Sequence, residues 1–296
     1  MYIAWGTTYI GIAFTIETMP PLFSMSFRFL AASLALFVFI GFRSGWDALR
    51  LSRKEFLNAI FLGTLMLGVG LGTMAFAEKV VPIGVASLIV AAMPIWTALF
   101  RTLDRDRPKL SSLLGIGAGL VGIGIIMLPG QTLARPDSDG QNVTLWMFII
   151  LLGNLCWSLG SFIAPRMATP SNPLVLSTYE MAGAALALFI GGLIHKESIA
   201  DFMDASARSW GGWLYLVLVG SLIGYTVYTW LLENASITLV STYAYVNPVV
   251  AVALGIIIFN EKLTPNIVIG GLIVIVSVAI VVAVESAKKQ TLSQAQ

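Results

Sequence analysis

Ten apolar stretches follow one another along the chain, at about residues 1–16, 22–41, 56–76, 81–101, 111–129, 144–164, 174–193, 211–232, 237–259 and 266–284. A helix needs about 20 apolar residues to cross the hydrocarbon core of a bilayer, and nine of the ten approach or exceed that length. The first reaches Glu17 too soon, so either residues precede Met1 or this helix begins within the interface. Glycine and proline inside these runs would end a soluble helix but are tolerated in lipid, where neighbouring helices re-satisfy the backbone. The loops are short. The stretch 130–143, GQTLARPDSDGQNV, is the longest polar interruption inside the chain. The pattern predicts an all-α polytopic membrane protein of ten helices, divided into a unit over 1–130, a linker over 131–143, a second unit over 144–285 and a polar tail over 286–296.

The two units are copies of each other. Residues 21–37, PLFSMSFRFLAASLALF, align without a gap on residues 173–189, PLVLSTYEMAGAALALF, with seven of 17 positions identical. Trp5 and Trp157 share the same offset of 152, Pro94 and Pro248 are 154 apart, and Glu78 and Glu233 are 155 apart. Each copy holds five crossings. Five is odd, so the second copy enters the membrane from the opposite side, and inverted repeats of this kind mark secondary transporters.

Composition agrees. The chain is 57% hydrophobic and 11% charged, against about 25% charged in soluble domains. A net charge of +2 without a long basic run argues against nucleic acid. One cysteine, Cys156, and one histidine, His195, exclude an internal disulfide and leave no metal site. With the N-terminus in the cytoplasm, inner loops hold 11 lysines and arginines and outer loops 5, so the positive-inside rule places both termini in the cytoplasm. In the fifth segment Gly115, Gly119 and Gly122 form a small-residue face, with Gly270, Gly271 and Ser277 in the tenth. Such faces allow close helix approach, either within the chain or across a homodimer seam.

Arg28 and Glu180 are the ionisable residues inside segments, and they are equivalent in the repeat. Each lies about seven residues, or about 10 Å, into its segment. The segments start on opposite faces of a core about 30 Å thick, which leaves the two about 10 Å apart in depth. That geometry predicts separate roles, as gates or as anchors, rather than a salt bridge. Pro94 and Pro248 fall near mid-segment, where each frees a carbonyl four residues earlier, at Val90 and Ala244. The carbonyls can bind a substrate ammonium, or the helices can simply kink and act as hinges. Met93 and Asn247 stand beside these prolines. Trp5, Thr8, Met66, Thr73, Trp96, Asn154, Trp157, Ser158, Ser161, Tyr225, Tyr228, Tyr243 and Tyr245 also lie deep in segments. They either pack helices or line a cavity suited to an amphipathic solute with an apolar body. No phosphate loop, HExxH, GxSxG or potassium-filter motif occurs, and nothing resembles a catalytic site or calls for a cofactor.

Several of these features together identify a family. They are Trp5-Gly6, the arginine within SFRFLAASLALF, Glu78 and Glu233 closing the third and eighth segments, the mid-helix prolines, and the run FNEKLTPNIVIGGLIVIVSVAIV with Glu261, Lys262 and Gly270. With them the chain resembles the EamA-type branch of the drug/metabolite transporter superfamily, and within that branch bacterial amino-acid exporters. The first copy departs from the pattern, reading LDRDRPKLSS where a glutamate is expected. The resemblance implies a ten-helix basket around a central cavity, with the fifth and tenth helices as scaffold and Trp5, Thr73, Trp96, Trp157 and Tyr225 near the transport path. It implies a multi-pass bacterial inner-membrane exporter of amino acids, as a monomer or homodimer, moving small molecules by alternating access. The rivals are a multidrug or nucleotide-sugar carrier of the same fold, and a non-transporting scaffold or receptor. Proton antiport would need a titratable group, and Glu180 is the candidate within a segment.

Overall fold

The computed structural model describes residues 2–103, 110–128, 134, 135, 138, 140–234 and 243–294. Helices account for every crossing: α1 (Tyr2–Thr15), α2 (Pro21–Ser44), α3 (Arg53–Ala77), α4 (Ile83–Val90, then Met93–Leu103), α5 (Leu110–Ile126), α6 (Val143–Ile163), α7 (Pro173–Ile194), α8 (207–234), α9 (Tyr243–Phe259) and α10 (Pro265–Gln294). Six of these contain a window long and apolar enough to span a bilayer, and α4, α5 and α9 contribute shorter apolar helices. Between a third and a half of each long span is buried inside the protein. The outward positions stay apolar, among them Leu34, Phe42, Leu114, Leu152 and Ile257, because their solvent is lipid.

The helices pair under a two-fold relation. α2 lies along α7 and α5 along α10, each beside its own repeat partner. The remaining contacts come in swapped sets: α1 with α9 and α6 with α4, α1 with α8 and α6 with α3, α2 with α8 and α7 with α3. The glycine face of α5 is used within the chain. A Cβ on Gly122 would stand 2.9 Å from the Gly270 carbonyl, and one on Gly270 would stand 2.7 Å from the Gly122 carbonyl. Only glycine permits that backbone approach. Hydroxyls stitch the central pair, with Ser26 donating to the Ala185 carbonyl at 2.8 Å and Ser33 to the Thr178 carbonyl at 2.8 Å.

Three features go beyond the sequence expectation. The fourth segment is broken rather than kinked. It stops at Val90, turns through Ala91 and Ala92, and restarts at Met93. Pro94 therefore occupies a first turn, where a missing N–H removes no helical bond, whereas Pro248 stands inside α9. The polar tail continues α10 as helix to Gln294, since Glu, Ala, Lys and Gln are good helix formers. Finally, α3 and α8 each widen mid-helix into a π-helical stretch, Thr64–Leu71 and Leu216–Tyr225. These stretches occupy matching places in the two copies.

Candidate functional site

The short α1 presents one face to the interior: Trp5, Thr8, Tyr9 and Ile12, at the i, i+3, i+4, i+7 spacing of a helical stripe. It forms part of the wall of a cavity of roughly 860 Å³, counting the part open to solvent. The opposite walls come from the widened stretches of α3 and α8, through Leu67, Gly70, Gly220, Ser221 and Tyr225, and from α6, through Asn154 and Trp157. A π-helical stretch re-aims side chains and recurs at functional sites. Here both stretches border the same space.

Five rings dominate one side. Trp5 meets Trp157 edge-on with centroids 6.3 Å apart, Tyr228 at 5.0 Å and Tyr243 edge-on at 5.2 Å. Trp157 in turn meets Tyr225 and Tyr228, both at 6.4 Å. These spacings are those of favourable aromatic pairs. Trp5 and Trp157 are equivalent in the repeat, and equivalent residues can touch only beside the two-fold axis, so the axis passes through the ring cluster. Gly224 makes room, since a Cβ there would overlap the Trp5 indole nitrogen.

The polar groups divide between α2, α6 and α7. Arg28 lines the cavity while 3% exposed. Its Nε donates to Ser221 Oγ at 2.9 Å and Nη1 to Met25 Sδ at 3.5 Å, and the guanidinium stands 4.9 Å from the Phe29 ring centroid. No carboxylate pairs with it among the described residues. Glu180 instead accepts from the Tyr225 hydroxyl at 2.8 Å. The repeat-equivalent pair thus binds Ser221 and Tyr225, one turn apart on α8. Asn154 donates its amide to the carbonyls of Ile89 at 3.0 Å and Val90 at 3.2 Å. The Val90 carbonyl opposite Pro94 is therefore taken by the protein itself and does not await a substrate ammonium. The Asn154 Oδ1 is buried without a donor among the described residues.

Of the residues singled out by sequence, Trp5, Thr8, Met93, Asn154, Trp157, Tyr225 and Asn247 converge on the cavity wall together with Arg28. Tyr228 lies behind it, against Trp5 and Trp157. Met66 fills the space left by Gly160. Thr73 turns its hydroxyl back to the Val69 carbonyl at 2.8 Å, and Ser161 bonds the Trp157 carbonyl at 3.0 Å. Trp96 is not on the wall, and neither proline is. The side chains of Tyr245 and Glu233 and the segment 104–109 lie outside the described residues. Tyr9, Ile12, Phe29 and Ser221 line the cavity without having been anticipated. The helical stripe begun by Trp5 and Thr8 points to the first two.

Comparison with known proteins gives consistent relatives. The chain is 35% identical over 266 residues to an uncharacterized inner membrane transporter of Escherichia coli, YedA, covering 89% of this chain and 82% of that one. It is 20% identical over 275 residues to an uncharacterized transporter of Bacillus subtilis, YoaV, covering 92% and 90%. A solved crystal structure superposes with a TM-score of 0.64 at 17% identity over 94% of this chain and 92% of that one, which shows a shared fold. The EamA-like transporter family matches at residues 1–128 and again at 144–283. A doubled five-helix unit, a cavity between the copies and this pair of matches lead to one conclusion: the chain belongs to the EamA-like transporter family and is a multi-pass membrane transporter.

Proposed function

We propose that this protein exports hydrophobic and aromatic amino acids, and amphipathic metabolites like them, across the bacterial inner membrane by alternating access. The observation that carries this reading is the pairing, in one cavity, of the rings of Trp5, Trp157, Tyr225 and Tyr243 with a buried Arg28 that has no carboxylate partner among the described residues. A cation buried without a counter-charge is costly. A substrate carboxylate supplies that charge, while the rings take an apolar side chain. Asn154 Oδ1, which has no donor among the described residues, is a natural acceptor for the substrate ammonium. The lysine and arginine tally supports a topology with both termini in the cytoplasm.

A substrate panel in proteoliposomes tests the reading, with wild type and Arg28→Gln compared. Hydrogen bonds to charged groups contribute about 1.5–3 kcal/mol. The variant should therefore move aromatic amino acids with a KM raised about tenfold or more, and should handle an amine lacking the carboxylate as wild type does. Equal handling of both by the variant would remove the carboxylate assignment.

A further inference from the structure

A second cluster of ionisable groups lies away from the central cavity, where α3 ends and α4 begins. Glu78 is fully buried, and neither of its carboxylate oxygens has a hydrogen-bond partner among the described residues. Glu261, in the turn before α10, caps α4 across the two copies. Its Oε1 accepts from the Ile83 N–H and its Oε2 from the Gly84 N–H, the latter at 2.9 Å. Arg135 donates to the backbone carbonyl of Glu78 at 3.0 Å and covers the Phe259 ring at 4.9 Å. From α1, Tyr9 stands close enough to feel the Glu78 charge, and Tyr9 is part of the cavity wall. The adjacent Lys79 is exposed and feels Glu197 instead.

Among the described residues, Arg135 acts electrostatically on the two carboxylates Glu78 and Glu261, so a single proton balances these three groups. Glu261 uses both oxygens as acceptors and is the anion. The proton therefore belongs on Glu78, the acid to which nothing among the described residues donates. On the same face Glu197 caps α2 in the same manner, accepting from Leu22 N–H at 3.0 Å and Phe23 N–H at 2.7 Å. Two loops of the second copy thus hold two helices of the first. Deeper in, the grip relaxes. Ile83–Val90 packs along α9, but Met93–Leu103 packs against α5, α6 and α10.

We propose that Glu78 is a proton-binding site that latches this face closed, so that opening the face requires loss of one proton from Glu78. Burial pushes the Glu78 carboxyl well above the usual carboxylate range, with Arg135 opposing and Glu261 adding to the rise. The sign follows. A group whose affinity for protons is raised in the closed form stabilises that form at low pH, and the effect is lost as pH rises through the raised value. The closed-to-open ratio shifts by up to about tenfold per pH unit for one proton.

The test uses the full chain without substrate, so it stands apart from the amino-acid reading. Val80 is fully buried at this face and Leu263 is 41% exposed. In a Cys156→Ser background, labelling of Val80→Cys by an impermeant maleimide, normalised to Leu263→Cys, reports opening. The normalised rate should fall as pH falls in otherwise native protein. With Glu78→Gln added, which mimics the protonated acid, it should be low and independent of pH. A flat native profile, or a native slope retained by Glu78→Gln, overturns the proposal. Should Glu78→Gln fail to fold, infrared spectroscopy of Glu180→Gln protein at neutral pH decides. A protonated-carboxylic-acid carbonyl band supports the site, and its absence overturns it.

Discussion

At the scale of single residues, the site mixes what composition hints at with what only contact reveals. Trp5 and Trp157 match in the repeat, and their depth in the membrane sets them apart from ordinary interfacial aromatics. That they touch follows from the two-fold relation, which a linear alignment does not contain. Asn154 is visible as a buried polar residue, but its task of holding the Ile89 and Val90 carbonyls needs the packing of α6 on α4. Those carbonyls lose their partner in Asn154→Ala. An unsatisfied buried polar group costs about 1–3 kcal/mol, so thermal unfolding in detergent should occur several degrees lower than in wild type. An unchanged midpoint would show that water or a backbone shift replaces the amide. Arg28 and Glu180 align with each other, yet the inverted topology gives them different partners on α8.

Whole helices were legible from hydropathy because lipid demands apolar residues on every face, so length alone marks a crossing. Interruptions were less legible. Pro94 announces a disturbance in the fourth crossing, but whether the helix kinks or restarts depends on whether a neighbour captures the freed carbonyl, and Asn154 does so. The π-helical stretches of α3 and α8 leave no periodic trace. Their nearest signal is the glycine content of Gly68, Gly70, Gly72, Gly220 and Gly224. The α5–α10 seam offers a controlled test. Gly122 faces the Gly270 carbonyl, whereas Gly117 and Gly124 on the same helix have nothing within 4 Å of a built Cβ. Gly122→Leu should destabilise the protein by about 1–3 kcal/mol through overpacking, and Gly117→Leu should leave the unfolding midpoint within a degree or so of wild type. Equal effects at the two positions would mean that α5 and α10 do not pack through this face.

The whole molecule is a doubled five-helix unit whose copies share an axis through an aromatic cluster. The odd number of crossings makes that axis run in the plane of the membrane. Under the alternating access proposed above, conformational exchange amounts to breaking contacts on one face while their counterparts form on the other. The Glu261 and Glu197 caps are contacts of this kind on the face where α3 ends and α4 begins. Which solute crosses depends on a few side chains inside a scaffold built mainly by lipid exposure and glycine seams, which is why the sequence speaks clearly of fold and faintly of substrate. Efflux of a labelled aromatic amino acid from proteoliposomes, with Trp157→Ala beside wild type, tests the central claim most directly. Wild type should empty the vesicles saturably, and the variant, folded normally, should do so about tenfold more slowly, as expected when an aromatic ring is lost from the binding wall. Wild-type efflux no faster than from empty liposomes, or full activity in Trp157→Ala, would contradict the account.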